Sequence, residues 1–181
     1  GLPSYNWSGK WGVINGPNSP VFTNDTLNTS SLSNLIEGKY QLSWTVKNGN
    51  CPPSVDTIEI NVYDSTSVTV GPEQYLCGIY TTNLNGSSPT GTSSGLWHFI
   101  SGPNNPLITD TTDENTLVSG LVEGSYIFVW EISNGVCPPI NDTLKINVYD
   151  IPIASVGPDI SLCDSSQTNI NSNIPLGSST G

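Results

Sequence analysis

The stretch NGNCPPSVDTIEINVYD, from Asn48 to Asp64, is written again with small edits as NGVCPPINDTLKINVYD, from Asn134 to Asp150. The two lie 86 residues apart (134 − 48), and the same offset joins Trp11 to Trp97, Trp44 to Trp130, Cys51 to Cys137 and Cys77 to Cys163 without a gap. Solenoid repeats run about 20–50 residues, so a period of this length belongs to globular domains instead. The chain is expected to be a tandem array of one domain type.

Each copy reads as β-structure. In GSYIFVWEIS, Tyr126, Phe128, Trp130 and Ile132 alternate with Ile127, Val129, Glu131 and Ser133. The earlier copy is cleaner, with Tyr40, Leu42, Trp44 and Val46 on one face and Gln41, Ser43, Thr45 and Lys47 on the other. Period-two alternation is the mark of a half-buried strand. The repeated stretch supplies the next strand, with Leu144, Ile146 and Val148 inward and Lys145, Asn147 and Tyr149 outward. Asn134-Gly135 and the following Pro-Pro make a turn between the two. A further strand carries Trp97 and Phe99, and no segment combines helical periodicity with caps. Short strands punctuated by turns predict an all-β sandwich of about seven strands. Cutting where the repeated stretch ends gives a partial unit at 1–64, a complete one at 65–150 and the beginning of a third at 151–181. The absence of methionine and the out-of-phase length suggest a piece of something longer.

Composition narrows the partners. Fifteen Asp and Glu against four Lys and Arg leave a net charge of −11. Phosphate recognition needs clustered cations, so nucleic acid is excluded as a partner, and anionic lipid with it. No apolar run approaches the roughly 20 residues that span a bilayer. The chain offers little for catalysis either. Its one histidine, His98, stands at an outward strand position and is replaced by Gly12 in the other copy. No nucleophile elbow, phosphate loop or dinucleotide fingerprint is present. With a single histidine a zinc site is not expected. Calcium is the one metal the pattern suggests: Asp64 and Glu73 flank one linker, and Asp150 and Asp159 the next, where carboxylates at a domain junction could share a hard cation. Tyr63 and Tyr149 point outward at matching places, suited to packing on a neighbouring domain or, as an alternative, to stacking on a sugar.

Two cysteines recur per copy. If the chain enters a sandwich at the pole that also holds its final hairpin turn, Cys77 and Cys137 lie together at one end. A Cys77–Cys137 disulfide would close a loop of 60 residues (137 − 77), worth about 4 kcal/mol in the chain-entropy model. The rival Cys137–Cys163 would span a whole domain, farther than a disulfide reaches. Cys51 and Cys163 would then pair outside this sequence. The alternative is four reduced thiols, as in a cytosolic protein.

The elements GLW, GPNNP, GLVEGSYIFVWEISNGVCPPINDTLKINVYD and ASVGPDISLC together resemble the PKD-like or immunoglobulin-like tandem repeats of Bacteroidota surface proteins. Such repeats occur in giant gliding-motility adhesins of the SprB type and in other cargo of the type IX secretion system. The Trp-Asp-Phe-Gly-Asp-Gly stretch usual in PKD domains is missing. The resemblance implies tandem immunoglobulin-like or PKD-like β-sandwiches in a cell-anchored adhesin, stalk or filament on the bacterial exterior, with no catalysis in the repeats. Partners would be neighbouring repeats, surface glycans or other copies of the filament. It also implies O-glycosylation at Asp-Ser/Thr-hydrophobic triplets, which here nominate Thr26, Thr57 and Thr143. Alternatives are a glycan- or protein-binding module and a passive spacer beside a secreted enzyme.

Overall fold

The computed structural model describes residues 6–65 and 67–174; the outer ends of the first and third expected units, 1–5 and 175–181, lie outside them. The described residues contain twelve strands and no helix. The first copy holds β1 (Trp7–Asn15), β2 (Val21–Phe22), β3 (Leu32–Ser33), β4 (Gly38–Asn48) and β5 (Ser54–Val62). The second holds β6 (Gln74–Cys77), β7 (Thr81–Asn83), β8 (Ser94–Ser101), β9 (Leu107–Ile108), β10 (Leu117–Ser119), β11 (Gly124–Ser133) and β12 (Ile140–Tyr149).

The second copy is a β-sandwich. One sheet has the order β6-β12-β11-β8 and the other the order β7-β10-β9. The alternation seen in the sequence sets the inner face: Tyr126, Phe128, Trp130 and Ile132 from β11 and Leu144, Ile146 and Val148 from β12 are all buried. They meet Trp97 of β8 and, from the opposite layer, Leu84, Val118 and Leu121. Trp97 and Trp130 pack with ring centroids 5.1 Å apart, and the same pair recurs as Trp11 and Trp44 at 5.0 Å. Gly95 is required beside this pair, because a Cβ there would come within 2.1 Å of the Trp130 ring.

The buried tyrosine is tied down identically in both copies. Tyr126 Oη accepts from Val122 N–H and donates to Asn104 Oδ1; Tyr40 Oη does the same with Ile36 and Asn18. A buried hydroxyl without partners would cost free energy, so each tyrosine needs its asparagine. Asn147 keeps the outward position expected of it, opposite Tyr75 of β6, yet is covered there. It is only 6% exposed, bonded to Ser125 and Glu73.

One strand overturns an expectation. β6 runs parallel to β12, with Gln74 opposite Ile146 and Cys77 opposite Tyr149. The chain enters beside the β11–β12 turn, where Val70 N–H donates to Asp142 Oδ2 at 3.0 Å, and then follows β12 toward the far end. Cys77 is therefore at the exit pole and Cys137, before β12 begins, at the other. β12 is 10 residues long, so about 30 Å of strand separates them. A disulfide tolerates at most about 7 Å between Cα atoms. The expected Cys77–Cys137 pairing is thus corrected, and none of the four cysteines is bonded to another within residues 1–181.

The first copy repeats the sheet as β1-β4-β5, with no counterpart of β6 beside β5 among the described residues. In consequence Ile58 is 51% exposed, whereas Leu144 at the matching place is buried. Trp11, Trp44, Asp56, Thr57 and Ile58 line an open cavity of about 280 Å³. In the second copy the matching ground is covered by residues 68–70 and 86–87, and Trp130 Nε1 donates to Ser87 O at 2.9 Å. Beyond Asp150, Val156 bridges to Ser172 as Val70 bridges to Gly86.

Candidate functional site

Among the described residues, side chains of the first and second copies are hydrogen-bonded to one another at the junction between them. Its first side is the end of the first copy: Glu37 just before β4, and Tyr63 and Asp64 just after β5. Its second side is the turn Asn134–Cys137 and the loop Thr90–Thr92 that precedes β8. The Asn-Gly pair makes the turn for a local reason. Gly135 has φ +56, a left-handed conformation that glycine adopts without strain. Cys137 N–H closes the turn on Asn134 O at 3.0 Å. Gly135 is also required by the neighbour, since a Cβ would come within 2.3 Å of the Tyr63 ring. In the first copy the corresponding Gly49 has nothing within 4 Å.

Asn134 is the centre of the junction and is 3% exposed. Its amide donates to Glu37 Oε1 and to Asp64 O, both at 3.1 Å. Its oxygen lies 2.8 Å from the Thr92 hydroxyl. Glu37 Oε1 in turn receives the Thr92 hydroxyl at 2.9 Å and the Thr92 N–H at 3.3 Å. The Asn134 amide, then the Thr92 hydroxyl and N–H, hold the Glu37 carboxyl below its ordinary value. Hydrogen bonds to the charged form of an acid favour that form. Cys137 completes the contact, with its thiol 3.8 Å from Tyr63 O.

The expected calcium ligands are not gathered. The Glu73 carboxylate is engaged by Lys145 at 2.9 Å and by Asn147, which lower its pKa, and the carboxylate in turn raises that of Lys145. Asp150 accepts the Tyr80 hydroxyl at 2.8 Å, which holds the tyrosine above its ordinary value. Asp64 contributes its backbone oxygen to Asn134, and Asp159 is exposed in the third segment. Among the described residues no three His, Cys, Asp or Glu side chains cluster as metal ligands would.

The three threonines nominated for glycans are exposed: Thr26 in a turn where its hydroxyl bonds Asn24, Thr57 on β5 and Thr143 on β12. Cys51 and Cys163 are exposed as well. His98 is half-buried rather than freely solvated. Its Nε2 lies 3.9 Å from Glu131 and has no hydrogen-bond partner.

Sequence reasoning placed Asp64 and Tyr63 near a junction but missed Glu37, Thr92 and Asn134. A signal was present: the Glu of EGKY recurs in EGSY, and the Asn-Gly turn recurs with it, although neither is needed to build a strand.

No family model matches the chain, and no curated protein does. Among solved structures it is similar to the PKD domain from KIAA 1837 protein, at 22% identity over 54% of this chain and 96% of that one, TM-score 0.43. It is similar also to the PKD domain of human KIAA0319, at 19% identity over 52% and 87%, TM-score 0.41. A third is the protocadherin GammaB4 extracellular domain, at 13% identity over 91% of this chain and 31% of that one, TM-score 0.40.

Proposed function

We propose that the chain is a length of an extracellular stalk or adhesin, built by end-to-end repetition of one β-sandwich, with units at 1–64, 65–150 and 151–181. The observation that carries this reading is the junction. A buried asparagine of one copy is bonded to a carboxylate and a backbone carbonyl of the preceding copy, and a tyrosine ring covers its turn. A flexible spacer needs no such specific seat, whereas a stalk does, because every loose joint lets the array fold back on itself. The work is mechanical: each unit resists unfolding through its tryptophan-centred core, and repetition supplies reach. The reading gives the repeats no catalytic role and gives calcium no place, since Glu73 and Asp150 already have protein partners.

The motif resemblance supports the finer part of the proposal, a Bacteroidota cell surface reached through type IX secretion, with gliding adhesins as the nearest kind. The exposure of Thr26, Thr57 and Thr143 suits O-glycans there. Antibodies raised against residues 65–150 test the reading on intact cells. Gold label along filaments projecting from the surface is the expected result. Label confined to the cell interior after permeabilisation refutes it.

A further inference from the structure

The two cysteines of a copy lie at opposite ends of it, Cys137 against the preceding copy and Cys77 exposed at the exit pole. In the second copy Cys77 stands directly opposite Tyr149 across the parallel ladder, about 4.8 Å away between Cα atoms. The next residue, Gly78, donates its N–H to Tyr149 O at 2.8 Å. Tyr63 is the same tyrosine one period earlier (149 − 86 = 63). Its carbonyl oxygen lies 3.8 Å from Cys137 Sγ of the following copy. The two junction views overlay on one carbonyl. The first-strand cysteine of a copy flanks it within the sheet, and the turn cysteine of the next copy approaches it from the adjoining domain.

The faces agree as well. Leu76 packs against the core, so Cys77 and Tyr75, its neighbours in the pleat, lie on the outer face with Tyr149. The Tyr63 ring lies against Gly135, so the turn bearing Cys137 seats on that same outer face. Disulfides form with Cα atoms about 4.4–6.8 Å apart, which requires both cysteines to stand beside one residue, as the two do at the Tyr63/Tyr149 position.

We infer that successive copies are joined by an inter-repeat disulfide, from the first-strand cysteine of one to the turn cysteine of the next. Cys77 pairs with the residue at 137 + 86 = 223, and Cys137 with the residue at 77 − 86 = −9, both outside residues 1–181. Cys51 and Cys163 follow the same rule. The inference rests on the tandem reading above, in that successive junctions are alike. Oxidised glutathione serves as the oxidant. A thiolate attacks its disulfide, the second protein thiolate displaces glutathione from the mixed disulfide, and two glutathione thiols leave. The two protein thiols are thereby oxidised and the glutathione disulfide reduced, with the thiol protons passing to the released thiolates.

The test uses the full chain, extended before Gly1 by a second copy of its residues 65–86. These are the 22 residues that restore the missing first strand in register (86 − 65 + 1). After equilibration with oxidised glutathione, peptide mapping without reduction should recover the added cysteine linked to Cys137. The link should vanish in Cys137→Ser. Recovery of the added cysteine reduced, or linked to Cys51, overturns the inference. The unextended chain, oxidised in parallel, should give no Cys77–Cys137 peptide, and finding one overturns it independently of how the extension folds. Failure here leaves the surface-labelling result untouched, and failure of surface labelling leaves the cross-link standing, so the two readings fail separately.

Discussion

Replacing each of the two equivalent tryptophans by phenylalanine applies one chemical change to two different surroundings. Trp130 is fully buried, and its indole N–H donates to Ser87 O at 2.9 Å. Trp130→Phe removes about 40 Å² of buried apolar surface, worth about 1 kcal/mol at ~25 cal/mol per Å². It also strands a carbonyl that has lost its donor, at about 1 kcal/mol more, and leaves a partly unfilled space. The total is about 2–3 kcal/mol, a sizeable share of the roughly 5–15 kcal/mol that holds a domain folded. Trp44 is half-buried and borders the open cavity of about 280 Å³, so Trp44→Phe should cost under about 1 kcal/mol. Hydrogen exchange read by mass spectrometry reports the copies separately, through peptides covering 124–133 and 38–48. Trp130→Phe should accelerate exchange of the first peptide about 30- to 150-fold where exchange proceeds by unfolding of that unit, since 1.4 kcal/mol is a factor of about ten. Trp44→Phe should accelerate the second by less than about fivefold. Equal accelerations would refute the argument that the segment carrying β6 completes the core around the tryptophan.

Further outcomes follow from the junction and the open groove. Glu37→Gln should loosen the seat of Asn134 and Thr92 while leaving both units folded, seen as a lower end-to-end rigidity in small-angle scattering. Unchanged scattering would count against Glu37 as a junction residue. Because hydrogen bonds from Asn134 and Thr92 lower the Glu37 pKa, its contribution is complete above the ordinary value of 4.5 and disappears as pH falls through the lowered one. Chemical shifts of Asn134 and Thr92 should therefore move only on the acid side of that value, and a transition near neutrality would refute the assignment. A free peptide of residues 65–86 should occupy the groove at Trp11, Trp44 and Ile58 and shift tryptophan fluorescence, an effect that Ile58→Asp should abolish. Calcium or a chelator should leave the melting temperature unchanged within about a degree; a rise of several degrees with calcium would show that the junction carboxylates rearrange to bind it.

Strand positions and their inward faces were legible because the alternation of Tyr126, Phe128, Trp130 and Ile132 is a local signal, two residues in period. The burial of Asn147 was not, because its partners come from both sides, Ser125 from β11 and Glu73 from the residue just before β6. The direction of β6 was hidden for a deeper reason. QYLC reads as a strand whichever way it lies against β12, and only the parallel register puts Cys77 beside Tyr149. That one choice moved a cysteine from one end of the domain to the other. The junction was the least visible part, since Glu37 and Asn134 are 97 residues apart and neither stands out by hydrophobicity.

The parallel course of β6 and β12 also decides how tension would travel. With the inter-repeat links closed, the backbone from Cys137 to Cys163 is a tether of 26 residues (163 − 137) that follows β12, the linker and the next first strand. At ~3.3 Å per residue it can extend to about 86 Å over the two domains it crosses. The 60 residues from Cys77 to Cys137 hang off this line and bear no load. Odd and even junctions then form two interleaved cables, cross-tied at every repeat, so that one backbone cut in a linker leaves the ends connected. Pulled under oxidising conditions, such a fibre would stretch like a rope and not like a chain of springs. Reducing agent alone would release its hidden length.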